Sequence, residues 1–229
     1  MKNPFNSLNK KDWALYMFSL AVVVVSNLVC QIDLVNLITT TVGVTALIFI
    51  AKGNVWGQVF SVIFCFLYSV QSFLQKYYGE IIISMVMTLP LAVFSIVTWI
   101  RNPYKKGETV VKICIISLKE KVLLAFLSVG VTIAFYFILG AIGTESLIVS
   151  TLSVFTSFLA SYLLLRRNSF YAVAYMFNDV VLITLWTIAT INNFSNVSVL
   201  ACFLMFLFND LYAFIRWKKR EKEQGLKTK

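Results

Sequence analysis

The chain predicts an all-α, polytopic membrane protein of eight transmembrane helices, and three observations carry that prediction. Hydrophobic residues make up 59% of the 229 residues and charged residues only 13%, with a mean hydropathy of +0.83. Soluble domains sit near about 45–50% and 25%. Apolar runs of roughly 20 residues, the helix length that crosses a bilayer, follow one another with short polar breaks. The basic residues fall almost entirely in alternate breaks and in the tails, the pattern that orients a membrane protein. Little sequence is left between spans, so there is no room for a separate soluble domain.

The first span is expected over 13–30, after a segment carrying Lys2, Lys10 and Lys11. It has the charge order of a signal peptide but no small-x-small cleavage site, and Val29 before Cys30 does not suit a lipoprotein. We therefore read it as a retained helix. Further spans are expected at about 34–51, 55–75, 79–100, 120–141, 145–165, 170–190 and 196–216, each close to the required length. The breaks are short: Gln31-Ile32-Asp33, Lys52-Gly53-Asn54, Lys76 to Tyr78, Gly143-Thr144, Arg166-Arg167-Asn168 and Asn192 to Asn196. The one long connection, 102–120, opens with Pro103. Its 109–118 stretch mixes β-branched residues with Lys112, which fits either an interfacial strap or a plain linker. Eight spans put both termini on one side. With that side cytoplasmic, nineteen of the twenty basic residues lie inside and only Lys76 lies outside.

The chain also reads as duplicated. Residues 34–101 and 148–216 each hold three spans. In both, the first span ends in a basic residue (Lys52; Arg166), then Asn (Asn54; Asn168), then an aromatic two residues on (Trp56; Phe170), at an offset of about 114 residues. Three spans plus one linking span give both repeats the same orientation, with a site expected at their interface near mid-depth. The predicted division is an extra N-terminal helix (1–31), a first three-helix repeat (32–103), a strap and linker helix (104–142), a second repeat (143–217) and a basic tail (218–229).

The net charge of +10 would suggest nucleic acid in a soluble protein, but here it follows the topology, so no nucleic-acid partner is expected. Cys30, Cys65, Cys114 and Cys202 show no CxxC spacing, and three lie in apolar spans, as small buried side chains do. No histidine is present, which removes the usual general base, proton relay and transition-metal ligand. Neither a metal nor a cofactor is expected.

The chemistry points to the 166–193 stretch, a span with Asn178 and Asp179 in its middle. An aspartate there costs roughly 2.5–3.5 kcal/mol on insertion scales, so such a residue normally faces a bundle interior or a wet cavity. Asp179 should sit about 18 Å above Arg167, near mid-depth, sharing a helical face with Tyr175, Leu182, Trp186 and Thr190. The same tripeptide recurs as Phe208-Asn209-Asp210, with Asp210 expected nearer the cytoplasmic face, six residues before Arg216. These are the two acidic residues expected inside the spans. The third span offers Gln58, Ser61, Cys65, Tyr68 and Ser72 on one side, with Gln71 beside them. Polar residues so spaced either line a cavity or join helices. Trp56 reads as a belt or pocket aromatic, and Trp186 as a stacking or packing one. Candidate substrate-binding residues are therefore Asp179, Asn178, Trp186, Tyr175, Gln71, Tyr68, Gln58, Trp56, Asn209 and Asp210. Paired aspartates also serve intramembrane aspartyl proteases, although no Gly-x-Gly-Asp context is present.

Several stretches resemble the PnuC family of vitamin and nucleoside transporters. They are Gly53-Asn54-Val55-Trp56-Gly57 through Tyr68 to Tyr78-Gly79-Glu80 and Arg101, the strap from Val111 to Glu120, the Arg166-Arg167 pair, and Asp210-Leu211-Tyr212 to Arg216-Trp217. The resemblance implies two parallel three-helix bundles joined by a linker helix, similar to enlarged SWEET sugar facilitators, often with an extra N-terminal helix. It implies uptake of nicotinamide riboside across the inner (plasma) membrane by facilitated diffusion, with a cytoplasmic kinase trapping the product, and no enzymatic activity. The chain shows no sodium site and no acid relay longer than one residue, in keeping with uniport. It departs from the family where a glutamate and a Trp-x-x-Trp pair commonly follow the double arginine. The corresponding places here are Phe170, Ala172, Tyr175 and Asp179. Deoxynucleosides, thiamine and riboflavin, carried by other members, are the alternative substrates. Whether the chain works alone or as a homo-oligomer is left open.

Overall fold

Eight helices long and apolar enough to cross a membrane account for most of the described residues. The computed structural model describes residues 4–29, 34–105, 109–144 and 146–226. Cys30, the Gln31-Ile32-Asp33 break and Glu145, where the sixth span was expected to open, lie outside them. The helices are α1 (Lys10–Val29), α2 (Leu34–Ala51), α3 (Trp56–Leu74), α4 (Tyr78–Arg101), α5 (Leu118–Ala141), α6 (Leu147–Leu165), α7 (Tyr171–Asn192) and α8 (Val197–Glu223).

Most boundaries fall where the apolar runs end, and the departures have local causes. α5 starts two residues early because Ser117 caps it, its hydroxyl accepting from the Glu120 N–H at 3.2 Å. α4 is not uniform: Ile83–Thr88 is π-helical, one turn before Pro90, which has no N–H for the regular ladder. α8 runs seven residues past the expected 216 because one face of its basic end packs against the bundle. Trp217 is fully enclosed, and Glu221 accepts from Ser169 at 3.1 Å and pairs with Lys218 at 2.8 Å.

Packing arranges six helices in a closed ring: α2 on α3, α3 on α4, α4 on α6, α6 on α7, α7 on α8 and α8 back on α2. α5 lies outside the ring against α6, and α1 lies outside against α2 and α8. The outward face of α5 carries exposed Leu118, Phe126, Ile133 and Phe137, as expected of a surface solvated by lipid. α1 is held by polar contacts. Asp12, almost fully buried, accepts from Lys52 at 2.8 Å and from the Tyr212 hydroxyl, while Tyr16 meets Thr45 at 3.0 Å.

The end of the bundle where α1 begins and α8 finishes, the basic end, is stitched by two similar turns and the strap. Gly53 (φ +64°) and Arg167 (φ +55°) both adopt the left-handed conformation. In the next residue of each turn an Asn side-chain oxygen accepts a backbone N–H two residues on: Asn54 from Trp56 and Asn168 from Phe170, both at 3.1 Å. Residues 109–117 run extended beneath both turns. Val111 N–H reaches the Gly53 carbonyl and Cys114 N–H the Arg167 carbonyl, each at 3.0 Å. Val111, Ile113 and Ile116 are buried, so this segment is an integral part of the packed end rather than a loose linker. Just past the end of α6, the Arg166 guanidinium is held above its ordinary value by a two-pronged contact with the Glu120 carboxylate of α5.

Candidate functional site

The six-helix ring surrounds a cavity that all six of its helices line. α3 supplies Gln58, Ser61, Cys65 and Tyr68, whose spacing keeps them on one helical face. α7 supplies Tyr171, Tyr175, Asn178 and Asp179; α6 adds Ser157 and Ser161; α8 adds Phe203, Phe206 and Asp210. From α4 come Glu80 and, out of the π-helical segment, Ser84 and Thr88. Among the described residues, three carboxylates line the cavity and no Lys or Arg does.

The polar groups divide into those held by the protein and those left over. Asn178 accepts from the Thr156 hydroxyl at 2.8 Å and the Ser157 hydroxyl at 2.7 Å, which leaves its amide N–H groups as donors. Tyr175 and Ser161 share a hydrogen bond at 2.9 Å. Asp179 and Asp210 lie within hydrogen-bonding reach of each other. The Tyr68 hydroxyl donates to Glu80 Oε2 at 3.3 Å and accepts from Trp186 Nε1 at 3.1 Å. Asp179 Oδ2, Glu80 Oε1, Gln58 Nε2 and the Tyr171 hydroxyl are buried with no partner. Unpaired polar atoms inside a membrane protein cost free energy unless something else satisfies them, and all four residues line the cavity.

Six of the ten candidate residues meet here: Asp179, Asn178, Tyr175, Tyr68, Gln58 and Asp210. The other four are elsewhere. Trp186 shares the Asp179 face but lies two turns further along α7, where Tyr68, Tyr77 and Phe203 enclose it completely. Its ring has no free face for a substrate to stack on, and its N–H is spent on Tyr68. Asn209 is one residue from Asp210, hence about 100° round the helix. It faces α1, donating to Ser19 at 3.0 Å and to the Met205 carbonyl. Gln71 is fully buried off the cavity, and Trp56 packs on Phe60.

Two expectations need correction. Asp210 was placed shallower than Asp179 by counting back from Arg216. Since α8 continues to Glu223, that count started well inside the helix, and the two carboxyls adjoin. Glu80, in the first turn of α4, is a third acid that lines the cavity. It falls within the expected 79–100 span, one residue from its start, and was not counted among the acids inside the spans. The signal that could have found it is the alignment of Tyr68 with Glu80 across the short α3–α4 turn.

A ring of membrane helices around a largely apolar cavity with several unsatisfied polar groups is an arrangement suited to a membrane protein that passes a small molecule. Comparison with known proteins makes the class specific. The chain belongs to the nicotinamide mononucleotide transporter family, which it matches over residues 33–219. It is 26% identical over 193 residues to the nicotinamide riboside transporter PnuC of Neisseria mucosa, covering 82% of this chain and 73% of that one. Its fold is similar to that in the crystal structure of the vitamin B3 transporter PnuC, with a TM-score of 0.83 at 21% identity, covering 95% of this chain and 94% of that one. The aspartyl-protease alternative is set aside by this family and fold.

Proposed function

We propose that this protein takes up nicotinamide riboside, or a closely related nucleoside-like vitamin, across the plasma membrane by facilitated diffusion, with cytoplasmic phosphorylation trapping the product. The observation that carries the proposal is the charge of the cavity: three carboxylates and no basic side chain among its lining residues. Ribose hydroxyls are donors suited to Asp179 and Asp210, whereas a phosphate would meet only acids and lose its hydration. That favours the riboside over the mononucleotide. It also gives trapping a physical basis, because the phosphorylated product is refused by the cavity that admitted its precursor.

In this reading the basic end faces the cytoplasm by the positive-inside rule. Residues 32–103 and 143–217 are the two halves that rock about the cavity, and α5 links them outside the ring. A thermal-shift and calorimetric panel on the purified protein tests the substrate. Nicotinamide riboside should bind and stabilise it, and the mononucleotide should not. Binding of a deoxynucleoside or riboflavin with none of the riboside would replace this assignment with the corresponding alternative.

A further inference from the structure

Of the cavity's polar groups, Glu80 is the one whose presentation is most completely specified. It is 2% exposed, lines the cavity, and has Oε1 without a partner. Its other oxygen is held by the Tyr68 hydroxyl, which is itself held by the Trp186 indole. Tyr68 is fixed in turn by ring contacts, stacked on Phe64 at 5.5 Å and edge-on to Phe203 at 5.8 Å. Phe64, Tyr68 and Phe203 line the same cavity as Glu80, so a carboxylate with a free oxygen and an aromatic wall share one site, joined through Tyr68.

We propose that Glu80, positioned by the Trp186–Tyr68 chain, is a specificity residue that selects substrates whose flat ring carries a fixed positive charge. The inference rests on the nucleoside-like reading of the cavity and adds to it the charge of the ring. An aromatic wall offers the same stacking area to neutral and cationic rings, and adds cation–π attraction only for the latter. A buried carboxylate oxygen is compensated by a cation and left stranded by a neutral ring. Discrimination therefore comes from the acid, in the way that sites built around one buried polar group reject analogues lacking its partner. A bound metal ion is a poorer account of the free oxygen, since no group of three or more metal-ligating side chains occurs among the described residues. The neighbouring carboxyls of Asp179 and Asp210 adjoin each other, which suits them to hydroxyl groups at the sugar end.

The pyridinium of nicotinamide riboside can be reduced to the 1,4-dihydropyridine, a neutral ring of nearly the same shape, which isolates charge from fit. Calorimetry on the full-length purified protein should show the oxidised form binding about ten- to a hundredfold more tightly than the reduced form. Glu80→Gln should abolish that preference by weakening the oxidised form alone, and Asp179→Asn should leave the preference intact. Trp186→Phe, which keeps an aromatic ring and removes the N–H that orients Tyr68, should reduce the preference without abolishing it. Equal affinity for both forms in the unmodified protein overturns the inference whether or not any variant folds. So does an undiminished preference in monodisperse Glu80→Gln. If neither form binds, the riboside assignment has failed instead, and the comparison moves to thiamine, which is cationic, against riboflavin, which is neutral. A preference for riboflavin there overturns charge selection as well.

Discussion

Trp99 and Trp217 pack with their ring centroids 5.9 Å apart, and each sends its indole N–H to the last turn of a helix in the opposite half of the chain. Trp99 donates to the Leu164 carbonyl at 3.1 Å and Trp217 to the Ile50 carbonyl at 3.0 Å. Both rings are completely buried, and both carbonyls sit just before the left-handed turns that carry the strap. The basic end of the ring is thus closed by a reciprocal lock.

Opening one side of that lock should lower stability more than affinity. Trp217→Phe keeps most of the ring volume but removes one of the two donors to the Ile50 carbonyl, which keeps the Gly53 N–H at 2.7 Å, a loss of about 0.5–1.5 kcal/mol. The expected outcome is a lower melting temperature in detergent with substrate affinity within a few-fold of the unmodified protein. A variant that melts normally but no longer binds would assign Trp217 to the site instead.

Asp179 can be tested for the kind of partner it meets. Asp179→Ala should remove a charge-assisted hydrogen bond worth about 1.5–3 kcal/mol, hence roughly ten- to more than a hundredfold in affinity. Asp179→Asn should cost less if the partner is a ribose hydroxyl, because the amide oxygen still accepts. It should cost as much as alanine if the partner is a cation. Calorimetry on folded protein separates the two, and unchanged affinity in both variants places Asp179 among helix–helix contacts.

The proposed orientation predicts which loops an impermeant thiol reagent reaches from outside. With the native cysteines replaced, single cysteines at Thr144 or Asn193 should label in intact cells, and one at Lys105 should label only after permeabilisation. External labelling at Lys105 would invert the topology.

The transport mode is tested by energetics. Under the proposed facilitated diffusion with trapping, uptake should survive collapse of the proton and sodium gradients and should stop when the kinase for the substrate is deleted. Vesicles that accumulate the unmodified substrate against its gradient would show coupled transport.

What the sequence determined by itself was the set of properties that depend on local composition and period. The spans were legible because the bilayer fixes helix length and penalises every charge within it, so the chain must write its crossings as uninterrupted apolar runs. The polar faces of α3 and α7 were legible for the same reason: Gln58, Tyr68 and Asp179 are costly enough in the membrane to mark an interior. Tertiary structure alone decided which of these polar residues meet. Trp186 and Asn209 have the sequence credentials of site residues. They are excluded because packing closes Tyr77 and Phe203 over the first and turns the second toward Ser19 of α1. Asp179 and Asp210 adjoin because α7 packs along α8, and their expected difference in depth came from a helix end that hydropathy cannot see once basic residues begin. Glu80 enters the cavity because the α3–α4 turn folds it onto Tyr68. Contacts between helices distant in the chain depend on the closing of the ring, and no local period records that.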